Sequence, residues 1–290
     1  MKAVWSFWSK PFIHRRHQAW ANQKSHLLSW HLSVMTASSY YPDTALYTDD
    51  WGKWLLIDRL GLKFKEVCVD LNERTDSDIG WWALGKLHAY RAQTEPFVHI
   101  DDDLYLWKRL PKSLETAPVF AQNPEHTDYC YHPEVLERVL NWLPDEWHWY
   151  RRLNYKEAAC CGILGGQDVA FIQHADQAIK IIEHPDNQAG MATIPNKPCY
   201  MVLLEQYLLS ACAKYHKRPV STLFGHHVTP EAAQQYGFTH LLAGSKRNHT
   251  NISHLEAKMR RIYPDIYRLC TEVADELDSM MVKNVHMDQS

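Results

Sequence analysis

The chain has 290 residues, 46% of them apolar and 22% charged, with a formal net charge of −3. That balance is enough to bury a large core and excludes a disordered polyelectrolyte. No basic run is dense enough for a nucleic-acid footprint, and no stretch approaches the ~18 apolar residues of a spanning helix.

Seven cysteines follow no framework spacing: Cys160 and Cys161 are adjacent and the rest are scattered singly. That usage fits reduced thiols in a cytoplasmic protein, not a disulfide scaffold or a zinc pair. The N-terminus lacks the uninterrupted apolar segment of a secretion signal. Eighteen histidines make the net charge change steeply below neutral pH.

In chain order, Ala3–Trp8 is a short apolar run ended by Lys10-Pro11, a predicted first strand. A helix is predicted over His17–Ser38, where Trp20, Leu27, Leu28, Leu32 and Met35 recur at helical spacings. Thr44–Thr48 reads as a strand and Asp50–Leu60 as a helix with Gly61 just past its end. Phe64–Leu71 alternates like a strand, Gly80–Gln93 reads as a helix, and Pro96–Asp101 as a strand running into acid. A strand at Val119–Gln122 and a helix over His132–Trp142 follow. This alternation predicts an α/β fold, a mostly parallel sheet covered on both faces, whose ligands lie outside the carboxyl ends of its strands. The second half reads as helices over Asp168–Glu183, Met201–Lys214 and Glu231–Tyr236, with a strand at Pro219–Phe224. The helices Ile252–Tyr263 and Pro264–Val282 close the chain. With no repeat and no Pro/Gly/Ser linker, one domain over residues 1–290 is expected.

Chemistry concentrates in Pro96-Phe-Val-His-Ile-Asp-Asp-Asp-Leu-Tyr-Leu-Trp. The strand must end at the aspartates, because burying three carboxylates would cost many kcal/mol. In extended chain Asp101 and Asp103 project to one side. Two carboxylates there attract a hard divalent cation, and the cation attracts phosphate oxygens. Aspartate is also favoured in strand-end loops and at helix N-caps, so the cluster alone does not define the site.

His99-Ile-Asp-Asp-Asp-Leu-Tyr-Leu-Trp-Lys resembles the DxD segment of glycosyltransferases with the GT-A fold, Asp101 and Asp103 being the two aspartates. Other segments resemble that family in order. Val4-Trp-Ser-Phe-Trp8 is similar to its first strand, where Trp5 and Trp8 would line the nucleotide pocket. Leu46-Tyr-Thr-Asp-Asp50 is similar to the second, with Asp49 near base or ribose. Trp82 to Tyr90 resembles the helix before the DxD strand, with Lys86 as its basic residue. Leu204-Glu-Gln-Tyr-Leu-Leu209 resembles a helix start of glycogenin-like and mannosyltransferase-like enzymes, which makes Glu205 a catalytic candidate. Cys161-Gly-Ile-Leu-Gly-Gly166 resembles an acceptor-side strand, though with cysteines where asparagine is usual. Asp168 beyond it is a candidate for orienting an acceptor hydroxyl, and equally an N-cap. His240-Leu-Leu-Ala-Gly-Ser-Lys246 resembles the H-x-x-G-x-x-K segment of family-8 enzymes with one extra residue between His and Gly.

The resemblance implies a Rossmann-type GT-A sheet flanked by helices, with C-terminal helices. Residues 1–125 would form the nucleotide-sugar-binding half, 126–250 the acceptor side, and 251–290 the closing helices. It further implies a metal-dependent hexosyl transfer with retained configuration. The donor would be a UDP-sugar and the acceptor an unidentified molecule such as a glycan. Mn²⁺ or Mg²⁺ would sit on Asp101, Asp103 and His240, with Lys246 toward the diphosphate. A mixed oxygen and nitrogen shell suits Mn²⁺ well and Mg²⁺ tolerably. The alternatives are a nucleotidyltransferase, which would want a glycine-rich loop where Ser9-Lys10-Pro11-Phe12 stands, and a non-catalytic nucleotide-sugar or carbohydrate binder.

Overall fold

The computed structural model describes residues 1–15, 19–74, 77–126, 132–144, 147 and 157–287. A seven-stranded sheet forms its centre. Its first four strands are β1 (Lys2–Phe7), β2 (Thr44–Thr48), β3 (Glu66–Cys68) and β4 (Phe97–Ile100). These pair in parallel, β1 lying between β2 and β4. A short β5 (Leu104–Leu106) leaves this sheet, and β6 (Phe120–Ala121) rejoins it. The antiparallel partners β7 (Pro124–His126) and β8 (Glu157–Ala159) follow, then β9 (Ile163–Gly166), β10 (Ser221–Thr222) and β11 (Phe238–His240). Strand β9 runs antiparallel between β4 and β6, while β10 and β6 are parallel. The sheet is therefore mixed and mostly parallel, as the strand–helix alternation predicts.

Period-2 alternation divides the core between the two faces. From β1, Ala3, Trp5 and Phe7 enter one cluster, with Leu27, Leu28 and Trp30 of the helix Gln23–Ser38 and Cys270, Val273 and Leu277 of the closing helix. Val4 points the other way, into Leu84, Leu87, Leu164, Ile179, Leu204 and Leu208. On β4, Val98 and Ile100 join the first cluster and Phe97 the second. Asp101, next in line, therefore continues on the second face and Asp102 on the first.

Several predicted elements shift. The first helix, α1 (Ser9–Arg15), starts directly after β1 and was not read from the sequence; Pro11 sits in its first turn, where a missing N–H matters least. The helix predicted from His17 begins at Gln23, as α2 (Gln23–Ser38), because Asn22 caps it by accepting from the Ser25 N–H. Residues 17 and 18 of that prediction lie outside the described residues. The helix expected over Asp50–Leu60 is α3 (Asp50–Lys53) continued by a π-helical stretch, Trp54–Arg59, and Gly61 follows with φ 70°. The helix α4 (Leu84–Arg91) is shorter than predicted. The pattern over Met201–Lys214 is one continuous helical run, Lys197–Tyr215, with a π-helical middle at Leu203–Tyr207. The region over Asp168–Glu183 is two helices, Val169–Ile172 and Ala175–Glu183.

Two buried histidines make stability depend on pH. Burial pulls His31 on α2 and His174 down to about 4 from 6.5, although each donates to a backbone carbonyl. Both are therefore neutral when folded, and the unfolded chain binds more protons between the two values. Stability is complete above about pH 7, falls as pH drops through 6.5, and the loss levels off near 4. By pH 5 each histidine is expected to remove about 2 kcal/mol. Urea unfolding at pH 7 and pH 5 checks this, and His31→Gln should flatten the difference by about half.

Candidate metal and phosphate site

Three side chains meet at the carboxyl end of β4. One ligand atom each from Asp101, Asp103 and His240 lies within 4.8 Å of the others. Strand pairing brings them together: β11 runs antiparallel to β5 with His240 opposite Leu104, and the Leu241 N–H donates to the Asp103 carbonyl at 2.9 Å. His240 Nε2 thereby stands 3.2 Å from Asp103 Oδ1.

The aspartate turn is held from α2. His26, Ser29, Ser33 and Thr36 recur at spacings of three and four, a polar stripe on an otherwise buried helix. Ser33 Oγ donates to the Asp101 carbonyl at 2.9 Å and Ser29 Oγ to that of Asp102 at 2.7 Å. The Leu106 N–H donates to Thr36 Oγ1, and His26 Nε2 pairs with the Asp102 carboxylate at 2.8 Å. Asp102 is thus turned toward α2, away from the other two carboxylates. Its spacing is present in the sequence, but nothing local marks it as the support of the aspartate turn.

Lysines flank the acidic pair. Lys86 on α4 is buried between Asp101 (2.7 Å) and Glu205 (2.8 Å), and also donates to the Cys161 carbonyl. Burial alone would lower its pKa, but Asp101 and Glu205 outweigh that and hold it well above the ordinary lysine value. Lys246 pairs with Asp103 Oδ2 at 2.5 Å and lies 5.7 Å from the centre of the Trp20 ring. The chain reaches that position through Ala243, whose φ of 49° lies in the left-handed region, and the Ala21 N–H holds the Lys246 carbonyl. Burial pushes the Asp101 carboxyl up to about 7, against the pull of Lys86. Burial would do the same to Asp103, but the Lys246 ammonium paired with it holds it well below the usual carboxylate range.

The donor set suits a divalent cation. His240 Nδ1 lies 2.7 Å from Gln122 Oε1, so Nδ1 carries the donated proton and Nε2 offers a lone pair. That lone pair faces Asp103 Oδ1, which is buried and has no hydrogen-bond partner. Either a proton on Nε2 or a cation bound between the two satisfies this contact. Two carboxylates and one imidazole could hold a divalent metal ion.

The other residues that the sequence nominated stand outside this cluster. Trp5 is fully buried, its Nε1–H donating to Ser33 Oγ, so it is core and no platform for a base. Trp8 is also buried, packed over Gly85. Asp49 caps α3 through the Gly52 N–H and accepts the N–H and hydroxyl of Ser9, which occupies its carboxylate with structural duty. Asp168 caps the helix Val169–Ile172 and pairs with Arg218. Because Gly166 lies opposite Phe97 and Ile163 opposite Ile100, Asp168 is at the far end of the sheet from Asp101. Glu205 is sealed at 0% exposure behind Lys86, so it acts on the site only through that lysine.

Such a fold and site define a mixed α/β protein with a cation-ready acidic strand end. The chain belongs to DUF6734, described as a family of unknown function, whose profile matches residues 1–273. No curated protein matches it. Among the solved structures that match is the inositol-1-phosphate CTP transferase from T. maritima, at 10% identity and a TM-score of 0.39, over 89% of this chain and 96% of that one. Among the described residues no helix is long and apolar enough to cross a membrane.

Proposed function

We propose that the chain is a divalent-cation-dependent transferase acting on a nucleotide-linked substrate, and that the group it moves is a sugar from a nucleotide-sugar donor such as a UDP-sugar. The observation that carries this reading is the convergence of Asp101, Asp103 and His240 within 4.8 Å, with a lysine on either side. Asp101, Asp103 and His240 would hold the cation, which when bound neutralises charge building on a diphosphate leaving group. Lys246 is the only one of the two lysines with appreciable exposure, and it supplies a second positive charge to the same oxygens. Lys86 is too enclosed for that part; it fixes the Asp101 carboxylate. Ser33 and Ser29 hold the backbone of the turn, so the carboxylates need little reorganisation when a cation arrives. Retention of configuration rests on the family-8 likeness of His240 to Lys246.

Nucleotidyl transfer is the second reading, since cations on both sides of an acidic pair would serve a triphosphate equally well. Against it, the segment after β1 offers no free cradle for phosphates: the Ser9 N–H is already donated to Asp49 at 2.9 Å. The readings separate by product. Glycosyl transfer releases a nucleoside diphosphate from a nucleotide-sugar, whereas nucleotidyl transfer releases pyrophosphate from a nucleoside triphosphate. Assays of both products with Mn²⁺ and with EDTA decide between them, and absence of both supports a non-catalytic binder.

Binding is testable before any donor is identified. UDP is expected to raise the melting temperature with Mn²⁺ present and to leave it unchanged in EDTA, because Asp101 and Asp103 otherwise repel the diphosphate. At a hundredfold its dissociation constant the stabilisation is about 2.7 kcal/mol. Equal stabilisation in EDTA would remove the cation bridge from the reading.

A further inference from the structure

We infer that Gln122 is a positioning residue for the cation site: it fixes the tautomer and aim of His240, and through that nitrogen donor sets a preference for Mn²⁺ over Mg²⁺. The inference rests on the cation reading above and adds a residue that lies outside the acidic cluster and 118 positions from His240.

Gln122 follows β6 and is held on both sides. Its N–H donates to the Cys160 carbonyl at 3.0 Å, and its own carbonyl accepts from the Phe224 N–H at 2.9 Å. The side chain is buried, and Oε1 accepts from His240 Nδ1 at 2.7 Å. A neutral imidazole has one N–H, and which nitrogen carries it is set by the partner of the other. With the proton drawn to Nδ1 by a fixed carbonyl, Nε2 must present its lone pair toward Asp103. Gly162 makes the arrangement possible. A Cβ at that position would lie 2.4 Å from Gln122 Oε1 and 2.5 Å from His240 Cε1, so any side chain there would push the pair apart. The Gly162 carbonyl also accepts from the Asp101 N–H, which ties the same residue to the acidic turn.

Outer partners of this kind are worth about 10–100-fold in metal affinity. The effect should be selective. Mn²⁺ gains from an imidazole nitrogen, while Mg²⁺ favours oxygen and depends chiefly on the two carboxylates. Loss of His240 alignment should therefore weaken Mn²⁺ more than Mg²⁺, whereas general loosening of the fold would weaken both alike.

The test is direct titration of Mn²⁺ and Mg²⁺ into the full chain by calorimetry, with melting curves in EDTA to verify folding. Wild type must bind Mn²⁺; if it does not, the cation reading itself fails, independently of Gln122. Given that binding, Gln122→Met, which keeps length and removes the acceptor, is expected to lose 10–100-fold for Mn²⁺ and much less for Mg²⁺. Gln122→Glu restores an acceptor at the same place and should bind Mn²⁺ at least as well as wild type. If Gln122→Met does not fold, Gln122→Asn, whose carbonyl is drawn back by one methylene, takes its place with the same expectation. Unchanged Mn²⁺ affinity in the variant lacking the acceptor overturns the inference. So does an equal loss for both ions, or failure of Gln122→Glu to restore Mn²⁺.

Discussion

Replacing Lys86 by methionine is expected to destabilise the protein by about 3–5 kcal/mol, the usual cost of breaking a buried ion pair by removing one partner. Lys86 is the cation between two carboxylates, Asp101 at 2.7 Å and Glu205 at 2.8 Å, and the donor to the Cys161 carbonyl. Glu205 is fully buried, and its second oxygen has no hydrogen-bond partner, so without Lys86 its charge has no local compensation. Tyr90 donates to Glu205 at 3.3 Å, but its uncharged hydroxyl replaces only part of what the ammonium supplies. Removing the second charge should undo much of the damage: Lys86→Met combined with Glu205→Leu should recover more than half the lost stability. Urea unfolding of the two single variants and the double variant gives the coupling energy directly. A loss under about 1 kcal/mol for Lys86→Met would mean that the pair contributes little and that Asp101 is anchored some other way.

Asp103→Asn is expected to abolish the cation-dependent response to UDP while leaving a folded protein. Asparagine keeps the size of the side chain but removes the charge shared by Lys246 and His240. Lys246 then lacks its partner, so stability in EDTA should fall by about 1–3 kcal/mol. Asp102 is the internal control. It lies on the α2 side, its carboxylate on His26 and its carbonyl on Ser29. Asparagine there still offers His26 an acceptor, so Asp102→Asn should keep the UDP response and change stability by less than about 1 kcal/mol. Thermal melts with UDP and Mn²⁺ check both. The reverse ranking would put the cation on the α2 face of the turn.

Nearly all that was legible in the sequence depends on short range. The run from Pro96 to Ile100 had to be a buried strand, because apolar alternation acts on neighbouring residues; the expected exposure of the aspartates beyond it did not follow, since Lys246 offsets the burial of Asp103. The same alternation gave β1 to β4 and the helices α2 to α4, though not α1 or β5, and with them a mixed, mostly parallel sheet. It also separated Asp102 from Asp101 and Asp103, since successive residues face opposite ways. Element ends were less legible: Asn22 decides where α2 begins, and a hydrogen bond from one cap moves a boundary by several residues without altering the pattern.

What each polar side chain is for depended on where the chain folds back. Asp49, Asp168 and Glu205 are all acids beside helices or helical turns, and nothing local distinguishes them. The fold gives Asp49 to the Ser9 N–H and the start of α3, Asp168 to a cap and Arg218, and Glu205 to Lys86. Trp5 faces the interior because β1 is central in the sheet, a fact its own sequence neighbourhood does not contain. The approach of His240 to Asp103 follows from the antiparallel register of β5 and β11, and the aim of its ring from Gln122. Strand registers and hydrogen bonds between distant segments are selected by the packing of the whole core. The sequence therefore determined which residues end a strand in acid, and only the tertiary structure decided which nitrogen and which ammonium groups meet that acid.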